Sequence, residues 1–227
     1  MIPTRKTLHR WCSDLGMFAV DRPHGISPHS TCKWATRYCI QACFNNKFVR
    51  MYPVAMAKRD LANEQSWQTL TGSDLAHVLG RKYKRQTDRI RLMTRGEAFR
   101  DAADLERVID LADESPDRLI WVPTKAWRNP LMRIAIEALR EICPNLRILA
   151  STDPDTTQEE QAMLDANGWS SMFFGDDDQL ETLTGSARFK CPKTWAHDLG
   201  SCGDPTRCSS GGCFDNSQPV HIHLKEH

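Results

Sequence analysis

Three cysteines lie close together near the amino terminus, at positions 32, 39 and 43 of "TCKWATRYCIQACFN". Thiolate sulfur is a preferred ligand of zinc and of iron–sulfur clusters, and both need about four ligands in a compact shell. Cys39 and Cys43 are one helical turn apart, so we expect a helix to direct both sulfurs the same way, with Cys32 reaching them from the preceding loop. Zinc sites more often begin with a C-x2-C knuckle, which this segment lacks. The spacing therefore favours an iron–sulfur cluster over zinc.

A second group of cysteines lies in the Gly- and Ser-rich tail, at Cys191, Cys202, Cys208 and Cys213. These four can enclose a second metal centre, or one of them can supply the fourth ligand of the first. The spacing leaves both arrangements open. The tail has too few apolar residues to form its own core, so we expect a metal to staple it to the rest of the chain. Cys143 ends an apolar helix face and is predicted to be a core residue.

Bulk composition narrows the class of protein. Nine cysteines in 227 residues, with no apolar run of signal-peptide or membrane-span length, predict a cytoplasmic protein without a disulfide framework. Lys and Arg number 30 and Asp and Glu 29. This balance gives no strong nucleic-acid signal and argues against a dedicated polyanion binder. The hydrophobic content of 40% is enough for a real core.

The centre of the chain alternates between strand and helix patterns. Strands are predicted at 89–93, 118–123, 146–151 and 170–174, and helices at 104–114, 130–143 and 156–168. The first helix should bury Leu105, Val108, Ile109 and Ala112, and the second Leu131, Ile134, Ala138, Leu139 and Ile142. Such alternation predicts an α/β fold with parallel strands, as a partial or irregular β/α barrel or, alternatively, an open sheet. We predict a single domain over 1–227, with a cysteine-cluster segment at 1–50, a β/α core at 85–180 and a Cys-rich segment at 185–227.

Polar residues follow each predicted strand. They are Arg95 and Glu97, Thr124 and Lys125, Thr152 and Asp153, and Asp176 to Asp178. Parallel strands end at one edge of a sheet, and ligands of such folds gather there. The pattern predicts a site for a small-molecule ligand at this edge.

The motifs above resemble a known family, the phage gene product 88 proteins. The resemblance rests on "LGMFAVDRP" leading into the three spaced cysteines, on "RIRLMTRGE" and "IWVPTK", and on "CPKTW" followed by Cys202, Cys208 and Cys213. Lys33, Phe44-Asn45 and Phe214 stand where the family more often has Pro, Tyr-Ala and Trp, which leaves the candidate ligands intact. The resemblance implies an iron–sulfur protein with features similar to those of radical S-adenosylmethionine enzymes, located in the host cytoplasm if phage-encoded.

The comparison with radical S-adenosylmethionine enzymes implies roles for three residues. "TRGE" resembles the Gly-Gly-Glu element that binds the methionine amino group, so Glu97 would bind the cofactor, with Lys125 or Asp153 contacting ligand from later strand ends. The cysteine spacing C-x6-C-x3-C departs from the usual C-x3-C-x2-C loop.

Two hypotheses follow. In the first, Cys32, Cys39 and Cys43 hold a [4Fe–4S] cluster, and the protein contains either this cluster alone or a second one as well. The cluster serves redox or radical chemistry, with S-adenosylmethionine as a candidate cofactor. In the second, iron–sulfur or zinc is structural, and the protein is a non-enzymatic assembly factor.

Overall fold

The structure of the protein is a computed structural model that describes residues 9–12, 17–81, 89–180, 189–191, 194, 213 and 218–225. Of the predicted site residues, Cys202 and Cys208 lie outside this part of the chain. The side chain of Cys12 is also outside it. All others are described below.

One eight-stranded sheet runs through the molecule. Its strands are β1 (His9–Cys12), β2 (Met17–Asp21), β3 (Arg89–Arg95), β4 (Leu119–Thr124), β5 (Leu146–Thr152), β6 (Ser171–Phe174), β7 (Phe189–Lys190) and β8 (His221–Leu224). The order across the sheet is β1-β2-β3-β4-β5-β6-β8-β7. Only β1 is antiparallel to its neighbour, and the other pairs are parallel. The α/β prediction with parallel strands is confirmed.

The strand order is that of an open sheet. Among the described strands, β1 and β7 are the two edges and do not pair with each other. The open-sheet alternative therefore describes the observed pairing, and barrel closure is not confirmed. All four strands predicted in the centre of the chain are present, within one or two residues of their predicted ends.

Eight α-helices are assigned in the described residues. They are α1 (Arg37–Gln41), α2 (Asn46–Met51), α3 (Pro53–Thr69), α4 (Gly72–Arg81), α5 (Ala102–Asp113), α6 (Pro130–Ile142), α7 (Gln158–Ala166) and α8 (Asp177–Leu180). The side chain of Asn129 accepts from the Met132 N–H at 3.0 Å and caps the start of α6. None of these helices is both long and apolar enough to cross a bilayer.

The predicted buried stripe of α6 is wrong in part. Leu131, Ile134 and Ile142 are exposed by 78%, 62% and 64%. Leu139 is buried as predicted, together with Ile136, which was not in the predicted stripe. Because α6 carries apolar residues on more than one side, the sequence pattern did not single out the face that meets the sheet.

Two hydrophobic clusters lie on opposite faces of the sheet. The larger joins alternate strand residues such as Ile90, Ile120 and Ile148 to side chains of helices α3 to α7. Cys143 belongs to this cluster, as predicted. The smaller cluster consists of strand residues on the other face, namely Met17, Trp121, Leu149, Met172 and Ile222, and Cys191 and Cys213 pack against it. The described parts of the tail thus cover the face opposite the helices.

Strand β8 inserts between β6 and β7, and its two histidines are buried. His221 Nδ1 lies 2.8 Å from the hydroxyl of Ser171, and His223 Nε2 lies 2.8 Å from the carbonyl of Gly175. These contacts show that the alternating histidines His221 and His223 are side chains of an interior strand.

Candidate metal centre

The carboxyl ends of β3, β4 and β5 bring three predicted residues to one edge of the sheet. Glu97, Lys125 and Asp153 each follow their strand within two residues, and all three are buried. Parallel strands share the direction in which they end, so this grouping follows from the topology.

Both carboxylate oxygens of Glu97 accept hydrogen bonds from the protein. Its Oε1 accepts from the Thr124 hydroxyl at 2.7 Å and from the N–H groups of Ala98 and Phe99, and its Oε2 accepts from the Lys125 N–H at 2.9 Å. Burial raises the pKa of Glu97, and these four donors act against that rise. The carboxyl group therefore joins the ends of β3 and β4. A role in binding a ligand amino group would use the remaining acceptor capacity of Oε2.

Lys125 and Asp153 form a buried ion pair across the ends of β4 and β5. Burial acts to raise the pKa of Asp153, but Lys125, the Thr36 hydroxyl and Arg128 outweigh it and lower the pKa. Asp153 is therefore ionised at neutral pH, and the pair places a fixed cation and a fixed anion side by side at the edge of the sheet.

The cysteine-bearing segment is tied to this edge at two places. At its start, the buried hydroxyl of Thr31 donates to the Pro23 carbonyl at 2.8 Å and accepts from the Glu97 N–H at 2.9 Å. Further on, Thr36 donates to Asp153 at 2.7 Å, and the N–H of Tyr38 donates to Asp155 at 2.7 Å. The segment thus crosses the ends of β3 to β5.

The three sulfurs share one neighbourhood. Cys32 and Cys39 are close enough for one thiolate to raise the pKa of the other, and the same holds for Cys39 and Cys43. Gly25 lies between the outer two: its backbone N–H faces the Cys32 sulfur, and a Cβ built on it would lie 3.4 Å from the Cys43 sulfur. None of the three forms a disulfide.

The helical arrangement predicted for Cys39 and Cys43 is only half observed. Cys39 lies in α1, but α1 ends at Gln41, and Cys43 stands in the loop before α2. The side chain of Asn46 donates to the Ile40 carbonyl at 2.6 Å. This bond holds the turn that redirects the chain and places Cys43 beside Gly25.

Burial controls the protonation of the sulfurs. It raises the pKa of Cys32 to about 12, although the Gly25 N–H acts in the opposite direction. Burial likewise raises the pKa values of Cys39 and Cys43. Lys125 opposes the rise at Cys39, and the N–H groups of Asn45 and Asn46 oppose the rise at Cys43. In the absence of a bound cation the three groups are thiols at neutral pH.

Within the described residues, no three His, Cys, Asp or Glu side chains converge on a point that one metal ion could occupy. Cys32, Cys39 and Cys43 are neighbouring thiols, and backbone N–H groups are directed at Cys32 and Cys43. Thiolate ligands of zinc and of iron–sulfur clusters are commonly surrounded by such N–H groups.

The aromatic residues around the cysteines are placed unequally. Trp34 packs against the large core cluster, and Tyr38 contacts Phe174 at 6.3 Å between ring centroids. Phe44, in contrast, is 47% exposed. Trp34 and Tyr38 are thus partly buried beside the cysteines, whereas Phe44 faces solvent.

Sequence reasoning missed a buried charge network behind the site. Arg22, 1% exposed, makes a bidentate pair with Glu64 of α3 at 2.7 and 2.9 Å. It also donates to Asp104 at 2.8 Å and to the Glu97 carbonyl at 3.0 Å. The network fixes the loop that carries Glu97, and a lone Arg in "VDRP" gave no spacing signal for it.

His24 was also missed. It is 2% exposed, and neither ring nitrogen makes a hydrogen bond. Burial is the main cause that lowers its pKa, partly opposed by Asp60. His24 precedes Gly25, so a buried imidazole with two unused nitrogens lies next in the chain to the residue between Cys32 and Cys43.

The site is distinct from a cavity of about 590 Å³ at the opposite edge of the sheet. That cavity is lined by residues of α6, the start of β5 and the loop before β6, among them Arg140 and Gly168. Arg140 donates to the Gly168 carbonyl at 2.6 Å, so its guanidinium already closes the turn after α7. The candidate chemistry lies at the carboxyl edge instead.

Comparison with known proteins gives one match. The family model described as Gene product 88 matches residues 4–216. No curated protein and no solved structure matches the chain.

Proposed function

The chain belongs to the Gene product 88 family, a family of phage gene products, and on that premise we propose that it is an iron–sulfur protein of the host cytoplasm. Cys32, Cys39 and Cys43 would hold a [4Fe–4S] cluster at the carboxyl edge of the sheet. The observation that supports this most is that three neighbouring thiols lie on one segment, which Thr31 and Thr36 tie to the ends of the parallel strands β3 and β5.

A [4Fe–4S] cluster, when bound, supplies one-electron transfer. The chain's own part is to hold and tune it. The N–H groups of Gly25, Asn45 and Asn46 stabilise negative charge on the outer two sulfurs. Lys125 does the same for Cys39. Such groups favour uptake of metal by thiols that burial would otherwise keep protonated.

The finer form of the proposal is radical chemistry with S-adenosylmethionine. Its support is the Glu97, Lys125 and Asp153 grouping beside the sulfurs. Lys125 and Asp153 offer a cation and an anion that could face the carboxylate and amino group of a methionine moiety. Glu97 would contribute through Oε2 alone, since its Oε1 already accepts three hydrogen bonds.

The fourth ligand has three candidates. The tail can supply a cysteine, although Cys191 and Cys213 pack against the smaller hydrophobic cluster. His24 can supply a nitrogen, because both of its ring atoms are unpartnered and buried. With neither, one iron stays open to a small ligand, which is the arrangement that catalysis needs.

The second proposal, a structural metal in the tail, has an observation of its own. Cys191 and Cys213 are far apart in sequence but contact the same cluster on the sheet. A metal held between these cysteines and others of the tail would fasten the segment over that face. In this case the protein is an assembly or interaction factor.

The decisive experiment is anaerobic purification and reconstitution, with iron, sulfide and zinc counted per chain. We expect about four irons and an absorption band near ~400 nm that dithionite bleaches, with an electron paramagnetic resonance signal in the reduced state. Replacing Cys32, Cys39 or Cys43 by Ser should remove most of the iron, while Cys143→Ser, in the core, should retain it.

Each outcome separates the proposals. A colourless protein that holds zinc, or iron content unaffected by the three Ser variants, contradicts the cluster at Cys32, Cys39 and Cys43. Zinc or iron lost only in Cys191→Ser and Cys213→Ser supports the structural metal. Release of 5′-deoxyadenosine from S-adenosylmethionine by the reduced protein supports the radical form, and its absence in an iron-replete protein counts against it. Iron content of His24→Ala tests the nitrogen ligand.

A further inference from the structure

The near-neutral net charge conceals a strongly basic stretch. Residues 22–59 contain seven Lys and Arg and no Asp or Glu, so the rest of the chain has 23 cations against 29 anions. Arg22 and Arg59 are paired with buried carboxylates. The other five, Lys33, Arg37, Lys47, Arg50 and Lys58, are exposed. Overall charge balance therefore says little about the charge of this surface.

Large apolar side chains are exposed along the same stretch. Phe44, Phe48 and Tyr52 are exposed by 47%, 39% and 56%, and Met51 and Val54 by more than 60%. They come from α2, the loops on either side of it and the start of α3. Soluble domains seldom expose so many large apolar residues within eleven positions without a binding role.

We define the α2 surface as the exposed residues Phe44, Lys47, Phe48, Arg50, Met51, Tyr52, Val54 and Lys58. Cations and rings alternate along it, and Lys47 Nζ lies 5.3 Å from the centroid of Phe48. The residues that α2 and α3 bury nearby, such as Asn46, Met56 and Asp60, already anchor these helices. Phe48, Met51, Tyr52 and Val54 are thus exposed on or between helices that other residues hold in place.

We propose that the α2 surface binds single-stranded nucleic acid. Lys47, Arg50 and Lys58 would neutralise phosphates, and Phe44, Phe48 and Tyr52 would stack on bases, the combination that single-strand binding proteins use. The absence of any carboxylate from 22–59 leaves nothing in this stretch to repel a polyanion. This binding site does not depend on a metal cluster, so its test is independent of the test of the proposed function.

The arrangement favours a nucleic acid over an acidic protein. An interface for a protein partner concentrates apolar residues in a centre and charges in a rim. On the α2 surface the two kinds are mixed, since Lys47 and Arg50 lie among Phe44, Phe48 and Tyr52. A strand of nucleic acid presents phosphates and bases together along its length, which suits such a mixture of cations and rings.

The test is fluorescence anisotropy of labelled twenty-nucleotide dT with the metal-free full-length protein. We expect saturable binding that weakens as salt rises, with a slope in log K against log salt of roughly −0.7 for each phosphate neutralised. The double variant K47E/R50E should lower the affinity at least about tenfold and flatten that slope by about 1.4.

Matched variants separate local contact from general charge. K190E/K225E makes the same change of net charge at two exposed lysines of the β7–β8 edge and should bind like the wild type. Phe48→Leu and Tyr52→Leu keep an apolar side chain but remove the ring, and each should weaken binding about fivefold or more. Lys47, Phe48, Arg50 and Tyr52 are exposed, so thermal unfolding of their variants should be unchanged. K190E also removes the ion pair of Lys190 with Asp177 at 2.6 Å, so unfolding of this control is measured before its binding.

Three results would overturn the proposal. The first is no binding of the oligonucleotide at low salt. The second is equal weakening by both charge-reversal pairs, which indicates long-range attraction without a site. The third is a combined result: Phe48→Leu and Tyr52→Leu bind the oligonucleotide as tightly as the wild type, and the wild type binds poly-glutamate as tightly as the oligonucleotide. That result indicates a surface for an acidic protein.

Discussion

Thr36 and Asp153 link the cysteine-bearing segment to the sheet through a single hydroxyl group. Thr36 Oγ1 donates to Asp153 Oδ2 at 2.7 Å and accepts from the N–H of Cys39 at 3.0 Å. The residue is thus both the N-cap of α1 and its attachment to the end of β5. One side chain fixes where Cys39 stands relative to Lys125 and Asp153.

Replacing this hydroxyl should loosen the segment. We expect Thr36→Val to lower the free energy of unfolding of the metal-free protein by about 2 kcal/mol, because it removes a helix cap and a hydrogen bond to a buried carboxylate. Thr36→Ser keeps the hydroxyl and should cost less than about 1 kcal/mol. Urea denaturation measures both. Iron retained after gel filtration should fall in Thr36→Val if the segment holds a cluster, and equal stability of the two variants contradicts the linking role.

The buried guanidinium of Arg22 should be one of the main contributors to stability at this edge. Arg22→Met leaves Asp104 and Glu64 without their innermost partner, and we expect a loss of roughly 3–5 kcal/mol. Arg100 also contacts Glu64, at 2.8 Å, but its side chain is 31% exposed. Arg100→Met should therefore cost about 1 kcal/mol or less. Chemical denaturation of the two variants gives the comparison, and similar losses would show that Arg22 has no special role.

The central α/β unit was predictable because its signals are local. Four short apolar strands and the caps Asn129, Thr157 and Gly168 mark their elements within a few residues of sequence. Parallel strands end at one edge of the sheet, so the sequence pattern is enough to predict that Glu97, Lys125 and Asp153 lie near each other.

Helix α3 could not be predicted by the same reasoning. Its buried residues include Asp60, Asn63 and Glu64, so the face that meets the sheet does not appear apolar. Glu64 accepts a hydrogen bond from Arg22, and Asn63 donates to the carbonyl of Asp21, each across 42 positions of sequence. Pairing at that distance leaves no periodic signal.

Strand β8 shows the same limit for the sheet. Its insertion between β6 and β7 joins Ser171 to His221 across fifty positions, and only the folded chain shows it. The turn that ends α1 before Cys43 is also a tertiary effect, since it depends on Asn46 and Gly25.

Glu64 should make stability depend on acid pH. Burial acts to raise the pKa of Glu64, but Arg22 and Arg100 outweigh it, so the pKa is below its ordinary value of 4.5. The unfolded chain then binds the proton more readily than the folded one. The stabilisation is therefore fully present above pH 4.5 and is lost as pH falls through the lower, folded-state pKa.

The check is urea denaturation of wild type and Glu64→Gln across this range. We expect a difference of roughly 3 kcal/mol in the free energy of unfolding near pH 7, which narrows below pH 4.5. The difference between the two proteins at each pH isolates the effect of Glu64, since the other carboxyl groups titrate in both. A difference that stays constant with pH would assign the effect to packing and not to charge.

Gly96 and Gly168 allow the cost of a left-handed backbone to be separated from the cost of a clash. Both have positive φ, 81° and 62°. A Cβ on Gly96 would lie 2.8 Å from Arg22 Cβ, from the Pro23 carbonyl oxygen and from Thr31 Oγ1, whereas a Cβ on Gly168 would meet no atom within 4 Å. Gly168→Ala should therefore cost about 1 kcal/mol from the backbone alone.

Gly96→Ala should cost roughly 4 kcal/mol, because the methyl group adds overpacking to the same backbone penalty. The displaced atoms belong to Arg22 and Thr31, so the variant should also disturb the N–H of Glu97, which donates to Thr31. Denaturation of both Ala variants measures the two costs. Equal losses would mean that the loop moves aside freely, and that the close approach of Gly96 to Thr31 does not hold the cysteine segment against the ends of the strands.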